Sequence, residues 1–580
     1  MYTRRSFSLR AMCLAGALTI ALPVTTFAQT AIISGADRFH PVVAENGMVA
    51  SQEALATEVG VEILKKGGNA IDAAIATGFA LAVTLPRAGN LGGGGFMMIH
   101  RSESNETEAL DYREKAPAAA FRDMFLGADG NADKEKSRYS GLAVGVPGTV
   151  AGFEAAFKKH GSGKVSWADL VEPAIRLAED GIVLTPDLAS SLVARLERLG
   201  QDEATAKIFY KPGLVPYQAG EVLKQPDLAA TLRKIAENGA DGFYKGDVAE
   251  KIAAKVQATG GGMTSEDLAS YNAIWRKPVT GSYRGHEVAS MPPPSSGGTH
   301  IVQILNILEG FPIRETGANS ADTIHVMAEA MRRAYADRSE YLGDPDFVDV
   351  PVAGLTSKAY ADTLRELISL DKATPSEEVR PADPLPYESN QTTHYSVVDK
   401  DGNAVSNTYT LNFSYGVGMT ADGTGVLLNN ELDDFSAKPG VPNAYGLIGG
   451  DANAVEPNKR PLSSMSPTLV FKDGKVLMVT GSPGGSRIIT TTLQVIMNVI
   501  DHEMNIAEAT NAPRIHHQWF PDEIRVEEGL SPDTIRLLEE RGHKVALKNV
   551  MGSTQSIMKV DGVLAGASDP RREGALTLGY

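Results

Sequence analysis

The chain has 580 residues, of which 43% are apolar and 22% are charged, with 58 glycines and 31 prolines. This balance is typical of folded globular proteins and excludes collagen, coiled coils and extensive disorder. The formal net charge of −16, without any basic run, makes nucleic acid and anionic membrane surfaces poor partners.

The N-terminal segment has the pattern of an export signal. Three arginines in the first ten residues precede a short apolar run, and Thr26-Phe27-Ala28 provides a small-residue cleavage site. We therefore predict that residues 1–28 are a signal peptide and that the mature protein is periplasmic or secreted. The pair Arg4-Arg5 is compatible with either the general secretory (Sec) or the twin-arginine (Tat) export route. A buried N-terminal helix is the alternative.

Removal of this segment changes the chemistry available to the mature chain. It takes away three arginines and the single cysteine, Cys13, so that the net charge becomes −19. A chain without cysteine has no disulfide, no thiol nucleophile and no thiolate metal ligand. The sequence also lacks H-E-x-x-H and clustered Cys/His spacings, so we predict neither a metal nor a cofactor.

The first part of the mature chain is predicted to be mainly helical. Apolar spacing predicts a helix over residues 53–66 that ends at Gly67-Gly68, and Asn69 caps a second helix that runs to Leu85. A glycine run then precedes a short strand at residues 96–99. Residues 150–280 again show mostly helical patterns.

The pattern changes near residue 390. A polar, proline-bearing stretch ends the helix-rich part at residues 374–391. Beyond it, β-branched and alternating residues predict strands at 393–398, 404–411, 425–428, 469–472 and 475–480. Strands with helices on both sides along the chain predict a layered α/β architecture.

Two of these segments form a predicted hairpin. The strands 392–399 and 403–411 flank a three-residue loop that ends in Gly402, where a left-handed conformation is needed. Pairing of Asp399 with Asn403 sets the register, which places Thr392 opposite Thr410, about 5 Å away.

The start of this hairpin is a candidate nucleophile. It directly follows a loop that can be cut, and the mature chain has no thiol. A threonine made N-terminal by cleavage carries its own base, because an α-amino group titrates near about 8. The spacing leaves either Thr392 or Thr393 for this role. A threonine pair that only supports the sheet is the structural alternative.

A glycine-rich turn offers candidate oxyanion donors. The predicted strand 475–480 leads into Gly481-Ser482-Pro483-Gly484-Gly485-Ser486-Arg487 and then into a predicted helix, residues 488–500. Backbone N–H groups at a helix start favour a phosphate or an oxyanion, but the spacing of a P-loop is missing. In an acyl-transfer enzyme this turn would be the oxyanion hole; otherwise it is a tight turn.

Three further segments carry polar candidates. Arg113 follows a strand and suits bidentate pairing with a carboxylate. Residues 459–467 offer serine hydroxyls in a loop, and residues 430–435 cluster three acids without the spacing of a calcium loop. Each segment alone is also compatible with an ordinary turn or a solvated surface.

Together, these motifs resemble those of the bacterial gamma-glutamyltransferases. They are Thr392-Thr393-His394-Tyr395-Ser396-Val397 with Thr408-Tyr409-Thr410-Leu411-Asn412, the segments 460–467 and 481–487, Asp111-Tyr112-Arg113-Glu114, and Met551-Gly552-Ser553-Thr554-Gln555. The resemblance extends over the mature chain. It implies an N-terminal nucleophile hydrolase of the α/β class, with a four-layer αββα sandwich that two subunits of one precursor build jointly.

The resemblance also implies self-cleavage between Gln391 and Thr392. The large subunit would be residues 29–391 and the small subunit residues 392–580, which together form a heterodimer. Thr392 would attack the gamma-glutamyl amide of glutathione and related compounds, and the acyl-enzyme would pass the glutamyl group to water or to an amino acid or peptide acceptor. Thr410 would orient the nucleophile.

By the same resemblance, the remaining motif residues bind substrate. The amides of Gly484 and Gly485 would hold the oxyanion. The glutamyl α-carboxylate would be bound by Arg113, Ser463 and Ser464, and the α-amino group by Asn412, Glu431 and Asp434. Residues 438–446 resemble a lid loop with Tyr445 as its closing residue, and such a lid excludes water.

Two related activities and one unrelated class are the alternatives. A cephalosporin (glutaryl) acylase has the same core and nucleophile, but the complete set of glutamyl-binding residues argues against it. A poly-gamma-glutamate hydrolase lacks the lid, so the segment 438–446 argues against that activity. A periplasmic solute-binding protein is also exported, acidic and α/β, but it would remain a single polypeptide.

Overall fold

Two antiparallel sheets of seven strands each organise residues 39–380, 392–438 and 450–580, which are the residues described by the computed structural model. The predicted signal peptide, Gln391 and Tyr445 lie outside these ranges, as does the side chain of Thr392. Within the ranges, no helix is both long and apolar enough to cross a membrane.

The two large sheets have the following strands in spatial order. Sheet I consists of Leu576–Gly579, Gly47–Ser51, Thr392–Asp399, Ala404–Thr410, Gly94–Arg101, Glu106–Tyr112 and Ile274–Arg276. Sheet II consists of Val42–Ala44, Val563–Ser568, Gln555–Val560, Lys475–Thr480, Thr468–Lys472, His286–Ser290 and Val279–Tyr283. The predicted hairpin therefore lies near the centre of sheet I.

Alternation along the strands gives the sheets a shared core. Met98 and Ala404 of sheet I pack with Leu469 and Val479 of sheet II in one buried cluster. Intervening residues such as Tyr409 point the other way and pack against helices. Because successive strand residues face opposite sides, one sheet can bury both of its faces.

Helices cover the two outer faces. The cluster outside sheet I includes residues of Ala54–Lys65, Ala70–Thr84, Thr149–His160, Trp167–Asp180, Pro226–Asn238 and Gly246–Ala258. The cluster outside sheet II includes residues of Gly297–Leu308, Ala321–Tyr341, Arg487–Ile500, Ile506–Asn511 and Pro532–Glu540. The order helix, sheet, sheet, helix confirms the predicted four-layer αββα sandwich.

Shorter elements complete the described chain. The remaining α-helices are Lys134–Tyr139, Pro186–Ala194, Leu196–Leu199, Glu203–Phe209, Asp241–Tyr244, Ser265–Ala269, Ile313–Thr316, Val352–Leu355 and Lys358–Glu366. Three 3-10 turns lie at Gly141–Ala143, Glu431–Asp434 and Asp451–Asn453. The small strands are Ile182–Val183, Tyr210–Lys211, Val215–Pro216, Val222–Leu223, Ile515–His516, Ile524–Val526 and Val545–Leu547.

Local signals located most of the individually predicted helices and strands correctly. Asn69 accepts hydrogen bonds from the N–H groups of Ile71 and Asp72, both at 3.0 Å, in a capping box that starts the helix Ala70–Thr84. The strand predicted at 425–428 is wrong. This segment forms an irregular turn that pairs with residues 417–421, because Gly423 and Gly425 adopt positive φ angles of 67° and 69° and interrupt extended backbone.

Substitution of Gly60 tests how closely the first two helices pack. A Cβ atom at this position would lie 2.3 Å from Thr77 Oγ1. We expect Gly60→Ala to lower the free energy of unfolding by about 1–3 kcal/mol, because the helices must separate to admit the methyl group. Denaturant titration or the melting temperature measures this.

Gly354→Ala is the matched control. A Cβ atom there meets no heavy atom within 4 Å, and Gly354 lies in the helix Val352–Leu355. This variant should be neutral or up to about 1 kcal/mol more stable, since alanine loses less backbone entropy than glycine in a helix. Equal effects of the two variants would contradict the close packing of the helices.

Candidate active site

The hairpin has the register that its loop predicts. Thr392 pairs with Thr410, and His394 pairs with Thr408. Thr410 is buried, and its hydroxyl oxygen accepts a hydrogen bond from the Asn412 backbone N–H at 2.8 Å. The backbone of Thr392 is thus held beside Thr410 at the end of a central strand.

The glycine-rich turn lies against this strand. It joins the strand Lys475–Thr480 to the helix Arg487–Ile500, as predicted. A Cβ atom at Gly481 would lie 2.5 Å from His394 Cε1, so only glycine lets the imidazole ring approach so closely. Gly484 and Gly485 have positive φ angles of 136° and 62°, which aim their backbone away from a regular helix.

His394 connects the hairpin to this turn and was given no role by the sequence. Its ring nitrogens contact Thr408 Oγ1 at 2.8 Å and Ser396 Oγ at 3.1 Å. Burial lowers the pKa of His394 to about 3, so the ring is neutral at physiological pH. The signal for its position was strand alternation, which places His394 on the face towards sheet II.

Arg113 is the centre of a buried ionic cluster. Its side chain is 1% exposed and donates to the carboxylate of Glu431, and to Asp434 Oδ2 at 2.5 Å. Glu114 Oε2 lies 3.8 Å from Arg113 Nη1. The structure therefore brings together three of the predicted binding residues and adds Glu114, which the sequence had placed in a motif without a role.

Burial makes these carboxyl groups weaker acids than they are in water. Desolvation raises the pKa of Glu114 to about 7 and that of Asp434 to about 6, although the Arg113 charge opposes both shifts. Desolvation also raises the pKa of Glu431 well above its usual range, and the nearby carboxylates add to this. A buried cluster with more carboxylates than cations favours a further positive group.

Residues 459–467, here called the serine loop, contact the Arg113 cluster. The Arg113 Nε–H and Nη2–H groups lie within hydrogen-bond distance of the carbonyl oxygens of Pro461 and Leu462, at 3.3 and 3.4 Å. Ser463 and Ser464 follow directly and are both buried. The Ser464 hydroxyl accepts a hydrogen bond from Arg338 Nη2 at 2.8 Å, a contact that the sequence did not predict.

Asn412 links the acidic turn to the hairpin. It is fully buried and has a left-handed φ of 69°, a conformation that asparagine tolerates. Its side-chain amide donates to the Asn430 carbonyl oxygen at 2.9 Å, immediately before Glu431. All the predicted binding residues within the described ranges therefore converge near the start of the hairpin strand.

Among the described residues, no group of three or more His, Cys, Asp or Glu side chains is arranged to hold a metal ion. The positive charge in the described part of this site comes from arginine side chains instead.

Glu431→Gln tests the electrostatic strain in the cluster. A carboxyl group whose pKa is raised by folding contributes stability that is fully present below its unfolded pKa and is lost as the pH rises through its folded pKa. Folding raises the pKa of Glu431 well above its usual range, so the parent loses this contribution as the pH rises, whereas glutamine does not titrate. We expect the melting temperature of Glu431→Gln, relative to the parent, to be higher at pH 9 than at pH 5. A pH-independent or reversed difference would contradict the raised pKa.

Comparisons with known proteins agree with this geometry. The Gamma-glutamyltranspeptidase family model matches residues 56–578. The chain is 62% identical over 546 residues to a glutathione hydrolase proenzyme from Escherichia coli (strain K12), covering 94% of this chain and 93% of that protein.

Solved structures show the same relationship. A cephalosporin acylase from Bacillus halodurans superposes with a TM-score of 0.83 at 30% identity, over 96% of this chain and 99% of that one. A gamma-glutamyltranspeptidase from Helicobacter pylori superposes with a TM-score of 0.56 at 48% identity, over 60% of this chain and 97% of that one. From the matched residues and these identities, the chain belongs to the gamma-glutamyltranspeptidase family.

Proposed function

We propose that this protein is a self-cleaving gamma-glutamyltransferase that hydrolyses or transfers the gamma-glutamyl group of glutathione and related compounds. The observation that carries this proposal is the buried Arg113 cluster beside Ser463 and Ser464. The head of a gamma-glutamyl compound has one carboxylate and one ammonium group, and the cluster offers an opposite charge to each. The names of two relatives, the Escherichia coli glutathione hydrolase proenzyme and the Helicobacter pylori gamma-glutamyltranspeptidase, support the same substrate class.

Substrate binding exchanges contacts inside the cluster. The α-carboxylate accepts hydrogen bonds from the Arg113 guanidinium and from the hydroxyls of Ser463 and Ser464. Glu431 and Asp434, which pair with Arg113 in the structure, then accept hydrogen bonds from the α-ammonium group together with the Asn412 side chain. The zwitterionic head adds no net charge, so binding leaves the net charge of the buried cluster unchanged.

Self-cleavage produces the nucleophile. The Thr392 hydroxyl attacks the carbonyl carbon of Gln391, the amide nitrogen leaves, and an ester joins Gln391 to the Thr392 oxygen. The departing nitrogen, which takes up the hydroxyl proton, is the freed α-amino group of Thr392. Water then hydrolyses the ester, which restores the Thr392 hydroxyl and leaves Gln391 with a carboxylate. The products are a large subunit, residues 29–391, and a small subunit, residues 392–580, which remain together as a heterodimer.

The freed amine then acts as the general base. It takes the Thr392 hydroxyl proton while the oxygen attacks the gamma-glutamyl carbonyl carbon, and Thr410 orients that hydroxyl. The backbone N–H groups of Gly484 and Gly485 hold the oxyanion. The amine returns the proton to the leaving amine, and the acyl-enzyme transfers its glutamyl group to water or to an amino acid or peptide acceptor.

The remaining parts of the proposal concern access and location. We also propose that residues 438–446, which beyond 438 lie outside the described ranges, are the water-excluding lid that the family resemblance implies, with Tyr445 as its closing residue. Residues 1–28 are an export signal that is read by the Sec or the twin-arginine route, and the mature enzyme works in the periplasm or outside the cell.

A cephalosporin acylase is the second candidate, and the acylase with a TM-score of 0.83 favours it. A glutaryl group has no α-ammonium, so Glu431 and Asp434 would gain no cation from such a substrate. The preference between gamma-glutamyl-p-nitroanilide and glutaryl-p-nitroanilide therefore separates the two activities. A solute-binding protein would turn over neither compound and would remain one chain.

Removal of the Thr392 hydroxyl tests both cleavage and catalysis. Thr392→Val replaces the hydroxyl by a methyl group at nearly the same volume, so we expect a single uncut chain on a denaturing gel and no turnover of gamma-glutamyl-p-nitroanilide. Thr393→Val is the matched control, because the neighbouring residue is buried in the same strand. It should be cut and active. A cut or active Thr392→Val would overturn the assignment.

Asp434→Asn tests recognition of the α-ammonium group. A hydrogen bond to a charged group contributes about 1.5–3 kcal/mol, so kcat/KM for gamma-glutamyl-p-nitroanilide should fall roughly 10- to 150-fold. Turnover of the glutaryl compound should change little, since it presents no ammonium.

Asp433→Asn is the control for this variant. Asp433 is equally buried but contacts Ser137 Oγ at 2.6 Å and Arg138 Nε at 3.4 Å. It should leave kcat/KM for both anilides close to that of the parent. If the parent prefers the glutaryl compound, or if Asp434→Asn affects both compounds equally, the glutamyl assignment fails.

A further inference from the structure

Arg338 is a fully buried arginine that, like Arg113, contacts the serine loop. It lies near the end of the long helix Ala321–Tyr341 and is 0% exposed. Its Nη2 atom donates to Ser464 Oγ at 2.8 Å, and its Nε atom donates to Ser296 Oγ at 2.7 Å. One guanidinium therefore holds two serine hydroxyls.

The contact with Ser464 sets the direction of that hydroxyl. A guanidinium has donors only, so the Ser464 oxygen must be the acceptor in this bond. The Ser464 hydrogen is consequently directed away from Arg338. The carboxylate of a bound substrate is an acceptor suited to that hydrogen.

Through its contact with Ser296, Arg338 also acts on the backbone of Ser463. Ser296 Oγ accepts from Arg338 and donates to the Ser463 carbonyl oxygen at 2.8 Å. The Ser296 backbone N–H donates to the same carbonyl oxygen, also at 2.8 Å. The path from Arg338 through Ser296 thus fixes the backbone from which both Ser463 and Ser464 extend.

The charge of Arg338 also acts on the ionic cluster. Asp434 has its pKa raised by burial, and the charges of Arg113 and Arg338 both oppose this shift. Arg113 already pairs with Glu431 and Asp434. A second buried guanidinium adds positive potential on the side of the loop where Ser464 lies, which favours an incoming carboxylate.

We propose that Arg338 is a positioning residue for the substrate α-carboxylate. It acts through Ser464, whose hydroxyl it turns into a donor towards the carboxylate, and through Ser296, which holds the Ser463 backbone. The inference rests on the proposed gamma-glutamyltransferase function and adds to it a residue that determines specificity for substrates with an α-carboxylate.

The test compares Arg338→Lys, Ser464→Ala and the double variant. Lysine keeps the charge but cannot bond both serines in the same geometry. With gamma-glutamyl-p-nitroanilide, Arg338→Lys should raise KM roughly 10-fold while kcat stays within about threefold. Because part of the Arg338 effect passes through Ser464, the loss in the double variant should be smaller than the sum of the two single losses. Additive losses would overturn the proposal.

A substrate analogue separates positioning from a general structural defect. 4-Aminobutyryl-p-nitroanilide has the same amide and amine but no α-carboxylate. Arg338→Lys should leave its kcat/KM within about threefold of the parent value. An equal loss with both substrates would show that Arg338 serves only the fold.

Arg332→Lys is the matched control on the same helix. Arg332 is also buried, but it pairs with Glu329 and with Asp522, the latter at 3.1 Å. This variant should lower the melting temperature without changing KM. If Arg338→Lys fails to fold or to be cut, Ser296→Ala is the second variant, and it should raise KM roughly threefold or more. An unchanged KM in Ser296→Ala would overturn the proposal.

The unsubstituted enzyme distinguishes failure of this inference from failure of the proposed function. If the parent neither cuts itself nor turns over gamma-glutamyl-p-nitroanilide, the function is wrong and the Arg338 inference fails with it. If the parent is active and Arg338→Lys leaves KM unchanged, only the Arg338 inference is overturned.

Discussion

The pairing of the hairpin at the centre of sheet I is the constraint on which the rest of the site depends. The strand that begins at Thr392 is paired with Ala404–Thr410 from its first residue, and its second half is paired with Gly47–Ser51 on the other side. Interstrand hydrogen bonds therefore hold the start of this strand independently of the peptide bond to residue 391. A chain cut at that bond keeps its new end in place, and Thr410 and the turn at Gly481 stay beside it.

The binding site solves an electrostatic problem that the composition creates. A protein with a net charge of −16 must attract a substrate that carries carboxylates. Burial of the arginines makes this attraction possible, because Arg113 and Arg338 act at short range in a poorly screened interior. The surface acids, in contrast, are distant and screened by salt. The carboxylates beside Arg113 offset its charge and leave room for an ammonium group. Under the proposed function, the same cluster binds both charged groups of an amino acid head.

Local sequence signals predicted much of the framework. The loop ending at Gly402 was sufficient for the hairpin register, and Asn69 with Asp72 located the start of a helix. The strand predicted at 425–428 was wrong because apolar residues there occupy a turn that two glycines with positive φ angles interrupt. Arg338 was missed although Ala330, Ala334 and Arg338 recur every four residues on a buried helix, a spacing that places the arginine on an apolar face. Its partner Ser464 is 126 residues away along the chain, so no local pattern joins them.

The sequence by itself determined the layered α/β class, the hairpin with Thr392 opposite Thr410, the glycine-rich turn and the residue types of the site. Short-range backbone geometry, strand alternation and helix capping act over a few residues, and for that reason they are legible in the chain. Only the tertiary structure decided that Arg113, Glu431 and Asp434 share one buried cluster, and that His394 lies on Gly481. Those contacts join distant segments through the packing of two sheets and two helical layers. The protonation of the clustered carboxyl groups depends on their burial, which exists only once the layers have assembled.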